Sequence, residues 1–164
     1  GRRLDAASRR ILHAYPGNGF DVLLIISNGL SSTAVQRHGL DLLQAIIAVY
    51  RDASLRVGPI CLLANARVAV ADEIGALLKA RLSVIMVGER PGLSAADSLG
   101  LYLTYAPKSG NTDAERNCIS NIRPPEGLCY QRAAAKLSYL SREALQRGFS
   151  GVALKDEMPR HLLD

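Results

Sequence analysis

Residues 22–26, Val-Leu-Leu-Ile-Ile, form an unbroken apolar run with Asp21 before it and Ser27 after it. A strand with one wet face alternates, so a run without a polar position predicts a strand covered on both sides, as in a parallel sheet. Further strand-sized runs stand at residues 59–63 and 82–87. Between them the spacing turns helical. Ser31 or Ser32 can cap a helix whose stripe is Leu42, Leu43, Ile46, Ile47, Val49 and Tyr50, with Gly39 expected to break it near its start. A second helix is predicted over 71–79. Upstream, Leu4, Ala7, Ile11 and Leu12 predict a helix over 4–14, ended by the turn chemistry of Pro16-Gly17-Asn18-Gly19. Downstream, a strand is expected at 101–105 and a long helix from about 129 to 147, carrying Ala133, Leu137, Leu140, Ala144 and Leu145 and closed by Gly148. A last short strand is expected at 151–154, and a loose tail after Lys155.

This βαβα rhythm predicts a single α/β domain over 1–164: a doubly wound, mostly parallel sheet with helices on both faces, Rossmann-like. The composition agrees, since 48% hydrophobic and 21% charged residues over 164 positions are enough to build one core. No internal repeat or second domain boundary is visible. The net charge of +5 rests on 16 Arg and only 4 Lys, which favours planar contacts to phosphate, carboxylate or a protein partner. Those arginines are scattered from Arg2 to Arg160, and with 8 aromatic residues and no Trp the chain does not read as a nucleic-acid binder. Three cysteines without a Cys-x-x-Cys pair argue against a disulfide framework or a zinc site and for an intracellular protein. No apolar run is long enough to cross a bilayer.

Ligands of doubly wound sheets sit outside the carboxyl ends of the strands, where the topology reverses. Three polar, turn-rich segments fall there: Ser27-Asn28-Gly29-Leu30-Ser31-Ser32, Asn65-Ala66-Arg67-Val68 and Gly88-Glu89-Arg90-Pro91-Gly92. Taken singly, each also describes an ordinary strand-to-helix turn, and Glu89-Arg90 also describes a local salt bridge. Neither glycine-rich phosphate motif, G-x-G-x-x-G or G-x-x-x-x-G-K-[ST], occurs. Cys61, Cys118 and Cys129 can each be small buried hydrophobes. Ser31, Ser32, His38 and Asp41 contain the residue types of a catalytic triad, but no nucleophile-elbow motif supports one. No catalytic residue and no metal site are expected.

Together these segments carry a longer signature. Gly88-Glu89-Arg90-Pro91-Gly92-Leu93 and Asn117-Cys118-Ile119-Ser120-Asn121-Ile122, read with Ile26-Ser27-Asn28-Gly29-Leu30-Ser31 and Ala66-Arg67-Val68, closely resemble the small (light) subunit of ethanolamine ammonia-lyase over nearly the whole chain. The resemblance implies a domain that helps bind and enclose adenosylcobalamin, with contacts at Val68, Glu89 and Cys118, Val68 acting through its backbone. It implies a hetero-oligomer with a large subunit, a (β/α)₈ barrel that holds the substrate, and the radical conversion of ethanolamine to acetaldehyde and ammonia. The isolated chain is expected to be inactive. Because no histidine among His13, His38 and His161 stands in an Asp-x-His-x-x-Gly motif, the cofactor is expected to be bound base-on, its own benzimidazole on cobalt. Members of the family carry an N-terminal extension ahead of the region matching Gly1-Arg2-Arg3, linked to the bacterial ethanolamine-utilisation microcompartment, and it is absent from this sequence. At Asn28 the pattern departs, since relatives carry Asp. The alternative from another class is a noncatalytic nucleotide- or small-metabolite-binding α/β module, with a purely structural assembly subunit as a third option.

Overall fold

The helix following the first strand begins where Ser31 accepts the peptide N–H of Ala34 on its hydroxyl, at 3.2 Å, and the same hydroxyl donates to Ala96 O across the molecule. In the computed structural model, which describes residues 1–17, 19–92 and 95–159, the chain runs α1 (Ala6–Ala14), β1 (Val22–Ser27), α2 (Ser32–Asp52), β2 (Cys61–Leu63), α3 (Val70–Leu77), β3 (Leu82–Gly88), β4 (Leu99–Tyr105), β5 (Arg116–Ile122) and α4 (Tyr130–Arg147). The five strands form one mixed sheet in the order β2-β1-β3-β4-β5. This is a single α/β domain.

β1 pairs in parallel with β2 and β3, while β4 is antiparallel to both β3 and β5. Half of the pairings are therefore antiparallel, so the sheet is mixed, with β4 alone running against the other four strands. The reason is connection length: a parallel return needs a crossover of about a dozen residues or more, usually a helix, and only ten residues separate Gly88 from Leu99. The parallel half keeps the doubly wound logic. From β1 the chain crosses to β2 on one side and then back past it to β3 on the other, so the topology reverses between β1 and β3.

Alternation in the central strands sorts the core. Val22, Leu24, Val84 and Met86 pack with Leu42, Ile46 and Tyr50 of α2 and with Ala133, Leu137 and Leu140 of α4. Leu23, Ile25, Ile85 and Val87 pack with Val70, Ala71 and Ile74 of α3. Each fully buried Leu or Ile contributes roughly 1.5–3 kcal/mol of transfer free energy. Alanines on α4 let it lie close to α2, where the fully buried Tyr50 shares a 2.8 Å hydrogen bond with Ser141.

Several elements depart from the sequence expectation. α2 runs through Gly39 unbroken, and that glycine lies on the buried face of the helix, where a Cβ would stand 3.3 Å from Val35 and 3.8 Å from Met86. β4 starts at Leu99 rather than 101. Residues 116–122, where no strand is anticipated, form β5. Residues 151–153 make a turn of 3₁₀ helix instead of a strand, held by Asn117, whose side chain donates to Gly151 O and Leu154 O and accepts from Gly151 N. Of the expected turn and tail, Asn18 and residues 160–164 lie outside the described residues.

Candidate functional site

Strand direction brings the ends of β1, β2, β3 and β5 to one edge of the sheet, together with the start of β4. There the first two loops are stitched together. The buried Ser27 hydroxyl donates to Ala66 O at 3.2 Å and accepts from Gly29 N and Ala66 N at 3.1 and 2.9 Å. Asn28 Oδ1 accepts the Asn65 peptide N–H at 2.7 Å. That contact asks only for an oxygen acceptor, which Asp offers equally, so the departure at Asn28 leaves the loop geometry intact. Gly29 is required by close approach, since a Cβ there would stand 2.0 Å from Ala66 O.

Beside this edge lies a cleft of about 860 Å³, bounded by Leu30, Arg67, Val68, Glu89, Arg90 and Tyr102, and further along by Arg2 and the segment from Asn111 to Arg116. On this side of the sheet α3 packs against β3, Tyr102 of β4 is half-buried, and Cys118 and Ser120 of β5 are exposed. Leu30 holds a left-handed backbone, φ 70°, and is 42% exposed at the rim. A branched residue rarely adopts that conformation without a local reason. The Val68 peptide N–H donates to no acceptor among the described residues.

Glu89 is held through one oxygen. Oε2 accepts from the Ser98 hydroxyl at 2.5 Å and from the Asn121 peptide N–H at 3.2 Å, tying the end of β3 to both β4 and β5. Oε1 has no partner among the described residues. Gly100 keeps it uncovered, because a Cβ there would come within 3.1 Å of it. The salt bridge to Arg90 that the sequence allows is not formed among the described residues.

Cys118 stands directly opposite Tyr102 in the β4–β5 register. It lines a neighbouring hollow of about 460 Å³ with Ser120 and Asn121, so the structure brings Val68 and Glu89 into one cleft and sets Cys118 next to it, across Tyr102. Burial pushes the Tyr102 phenol up to about 12, helped by the nearby Cys118 and Glu89. Burial likewise raises the Cys118 thiol, though the residue as a whole is exposed. Both groups are protonated at neutral pH and can donate.

At the far end of the cleft, Arg116 forms a buried ion pair with Asp72 of α3 and also bonds Asp113 at 2.9 Å and Asn111 O at 3.0 Å. Burial holds the Asp72 carboxyl above its usual range, against the pull of Arg116. Tyr102, Leu30 and the Asp72–Arg116 pair are site features that sequence reasoning does not single out. Tyr102 is legible only as a polar-tipped aromatic in a strand next to the motif, and the ion pair joins residues 44 apart.

The triad read from Ser31, Ser32, His38 and Asp41 is not assembled. His38 instead bonds the Tyr130 hydroxyl at 2.7 Å through Nδ1 and Asp97 at 3.2 Å through Nε2. Asp97 also accepts from Arg37 at 2.5 Å and Arg123 at 3.3 Å, and these donors, Arg37 foremost, hold its carboxyl well below the usual range. This network fastens the β3–β4 loop to α2 and α4. Among the described residues no cluster of three metal-ligating side chains occurs, and no helix is long and apolar enough to cross a membrane.

Two of the motifs that carry the resemblance, Arg67-Val68 and Gly88-Glu89-Arg90, line this cleft, and the whole-chain comparison gives the family. The family model for the ethanolamine ammonia-lyase light chain matches residues 1–155. The chain belongs to this family. It is 55% identical over 167 residues to the protein named "Ethanolamine ammonia-lyase small subunit" from Azotobacter vinelandii, covering 100% of this chain and 62% of that protein. The small subunit of Xanthomonas campestris pv. campestris is 52% identical over 166 residues, covering 99% of this chain and 61% of the relative. That of Pseudomonas paraeruginosa is 55% identical over 160 residues, covering 96% and 58%. The chain thus spans about three fifths of the length of the light-chain relatives it matches.

Proposed function

We propose that this chain is the corrinoid-binding domain of an ethanolamine ammonia-lyase small subunit, and that it helps bind and enclose adenosylcobalamin through Val68, Glu89 and Cys118. The observation that carries this reading is the convergence of Val68 and Glu89 on one open cleft, with Cys118 beside it across Tyr102. The donor set suits the group. A corrin ring is fringed with neutral amide arms, which need acceptors such as Glu89 Oε1 and donors such as the Val68 peptide N–H, the Tyr102 hydroxyl and the Cys118 thiol.

Size supports a shared site. A cleft of about 860 Å³ suits a drug-sized molecule, and a corrinoid is larger, so part of it must be covered by a partner. The partner is the large subunit, a (β/α)₈ barrel that holds ethanolamine, in a hetero-oligomer of the bacterial cytoplasm and its ethanolamine-utilisation microcompartment. When bound, the cofactor supplies a cobalt–carbon bond whose homolysis starts the radical conversion of ethanolamine to acetaldehyde and ammonia. This chain's residues bind and orient the corrinoid and exclude water from it; they take no proton in the reaction. The lack of an Asp-x-His-x-x-Gly motif around His13, His38 or His161 supports base-on binding.

Reconstitution tests the reading. The small subunit alone, given adenosylcobalamin and ethanolamine, forms no acetaldehyde, and addition of the large subunit restores it. Activity of the small subunit alone, or none in the reconstituted pair, overturns it. A paramagnetic resonance spectrum of the cob(II)alamin complex that shows splitting from a protein nitrogen would reject base-on binding.

A further inference from the structure

Four arginines line the cleft, and they divide into two kinds. Arg116 is committed, being buried and bonded to Asp72, Asp113 and Asn111 O. Arg2, Arg67 and Arg90 have no carboxylate partner among the described residues. They come from three separate segments: the stretch before α1, the β2–α3 loop and the end of β3. The first two are joined, since the Arg67 peptide N–H donates to Gly1 O at 2.7 Å. These three are exposed, and the cleft lining sets four arginines against two carboxylates, Glu89 and Asp113, so it is net cationic and favours an anionic ligand group.

The neutral amide arms of a corrinoid give these cations nothing to neutralise. Its nucleotide tail carries a phosphodiester, an anion whose oxygens match the guanidinium fork. We propose that Arg67 and Arg90, with Arg2 beside Arg67, form the recognition site for that phosphodiester. This rests on the corrinoid reading above and divides the labour within it: Glu89, an anion that would repel phosphate, serves the amide-bearing part of the ligand, while the arginines fix the tail. A tail anchored by its phosphate keeps its benzimidazole in place beneath the ring.

The test compares two natural truncations on the assembled enzyme by equilibrium dialysis, without turnover. Adenosylcobinamide lacks the nucleotide tail altogether, whereas adenosylcobinamide phosphate retains a phosphate but no base. In the wild-type complex the phosphate form binds at least tenfold more tightly. Arg67→Gln and Arg90→Gln each lose on the order of tenfold for adenosylcobinamide phosphate and leave adenosylcobinamide unchanged, while Arg51→Gln, on α2 away from the cleft, alters neither. Equal affinity of the wild type for both corrinoids overturns the proposal, as does an equal loss of both in the arginine variants. If the wild-type complex binds neither truncation nor adenosylcobalamin, the corrinoid reading fails and the phosphate site falls with it; if adenosylcobalamin binds normally and only the arginine dependence is missing, the phosphate site alone fails.

Discussion

Replacing Asp72 by Asn removes one half of the ion pair that closes the far end of the cleft. The Asp72 and Arg116 side chains are only 2% and 4% exposed, and even in the wild type Asp72 Oδ1 and Arg116 Nε have no partner among the described residues. Breaking a buried pair on one side typically costs about 3–5 kcal/mol, because the other charge is left uncompensated. Arg116 keeps Asn111 O at 3.0 Å and the solvent-screened Asp113, so the lower end applies, about 3 kcal/mol. For a chain of this size that lowers Tm by about 6–12 °C. Replacing both residues by apolar ones, Asp72→Leu with Arg116→Met, removes both charges and returns stability to within about 1 kcal/mol of wild type or above it. Urea unfolding followed by circular dichroism, with unchanged m values, measures the cycle. The sign with pH differs for the other single variant. Burial already raises the Asp72 carboxyl, and without Arg116 it rises further, so the cost of Arg116→Met is small in acid and grows as pH climbs through the folded-state value. An Asp72→Asn variant within about 1 kcal/mol of wild type, or a double variant no better than the worse single, refutes the argument that this end of the cleft is dry.

Glu89→Gln keeps one oxygen for Ser98 or Asn121 but loses the charge, so cofactor titration of the assembled complex should show a dissociation constant raised on the order of tenfold to a hundredfold, with stability changed by about 1 kcal/mol. A variant that melts early and binds normally makes Glu89 a purely structural residue. Gly88→Ala drives a Cβ to 2.3 Å from Ser31 O, backbone that cannot swing aside, and should cost about 1–3 kcal/mol in denaturant unfolding. Asp97 has a depressed folded-state value, so it stabilises the fold above its ordinary 3.8 and that contribution fades as pH falls below it. The stability difference between wild type and Asp97→Asn, measured across pH 7 to about 2, should therefore shrink in that acid window; a difference that stays constant would discount the network.

The central strands are legible in the sequence because β1 and β3 are covered on both sides, which demands the uninterrupted apolar runs that mark them. β5 is not, for a physical reason. It is an edge strand whose buried positions are Arg116, Ile119 and Ile122, three apart rather than two, with a register shift beside it and Asn121 in the left-handed region at φ 58°. Its polar residues are satisfied by distant partners, such as Asn117 with Gly151, that no local pattern announces. Gly39 misleads for the opposite reason: its propensity is poor, but burial of the α2 face it sits on outweighs it. At the candidate site, Val68 and Glu89 are visible as members of loops that must converge at the switch point. The role of Ser27 in joining those loops, the free oxygen of Glu89 and the burial of Arg116 are properties of three-dimensional neighbours and emerge only from the fold.

The most direct test of the central claim is a crystal structure of the small subunit assembled with its large subunit and adenosylcobalamin. The corrinoid should lie over the open face of β4 and β5, in contact with Val68, Glu89 and Cys118 and with its own benzimidazole on cobalt. A corrinoid seated wholly within the partner, or against the α2–α4 side of this domain, would contradict the account.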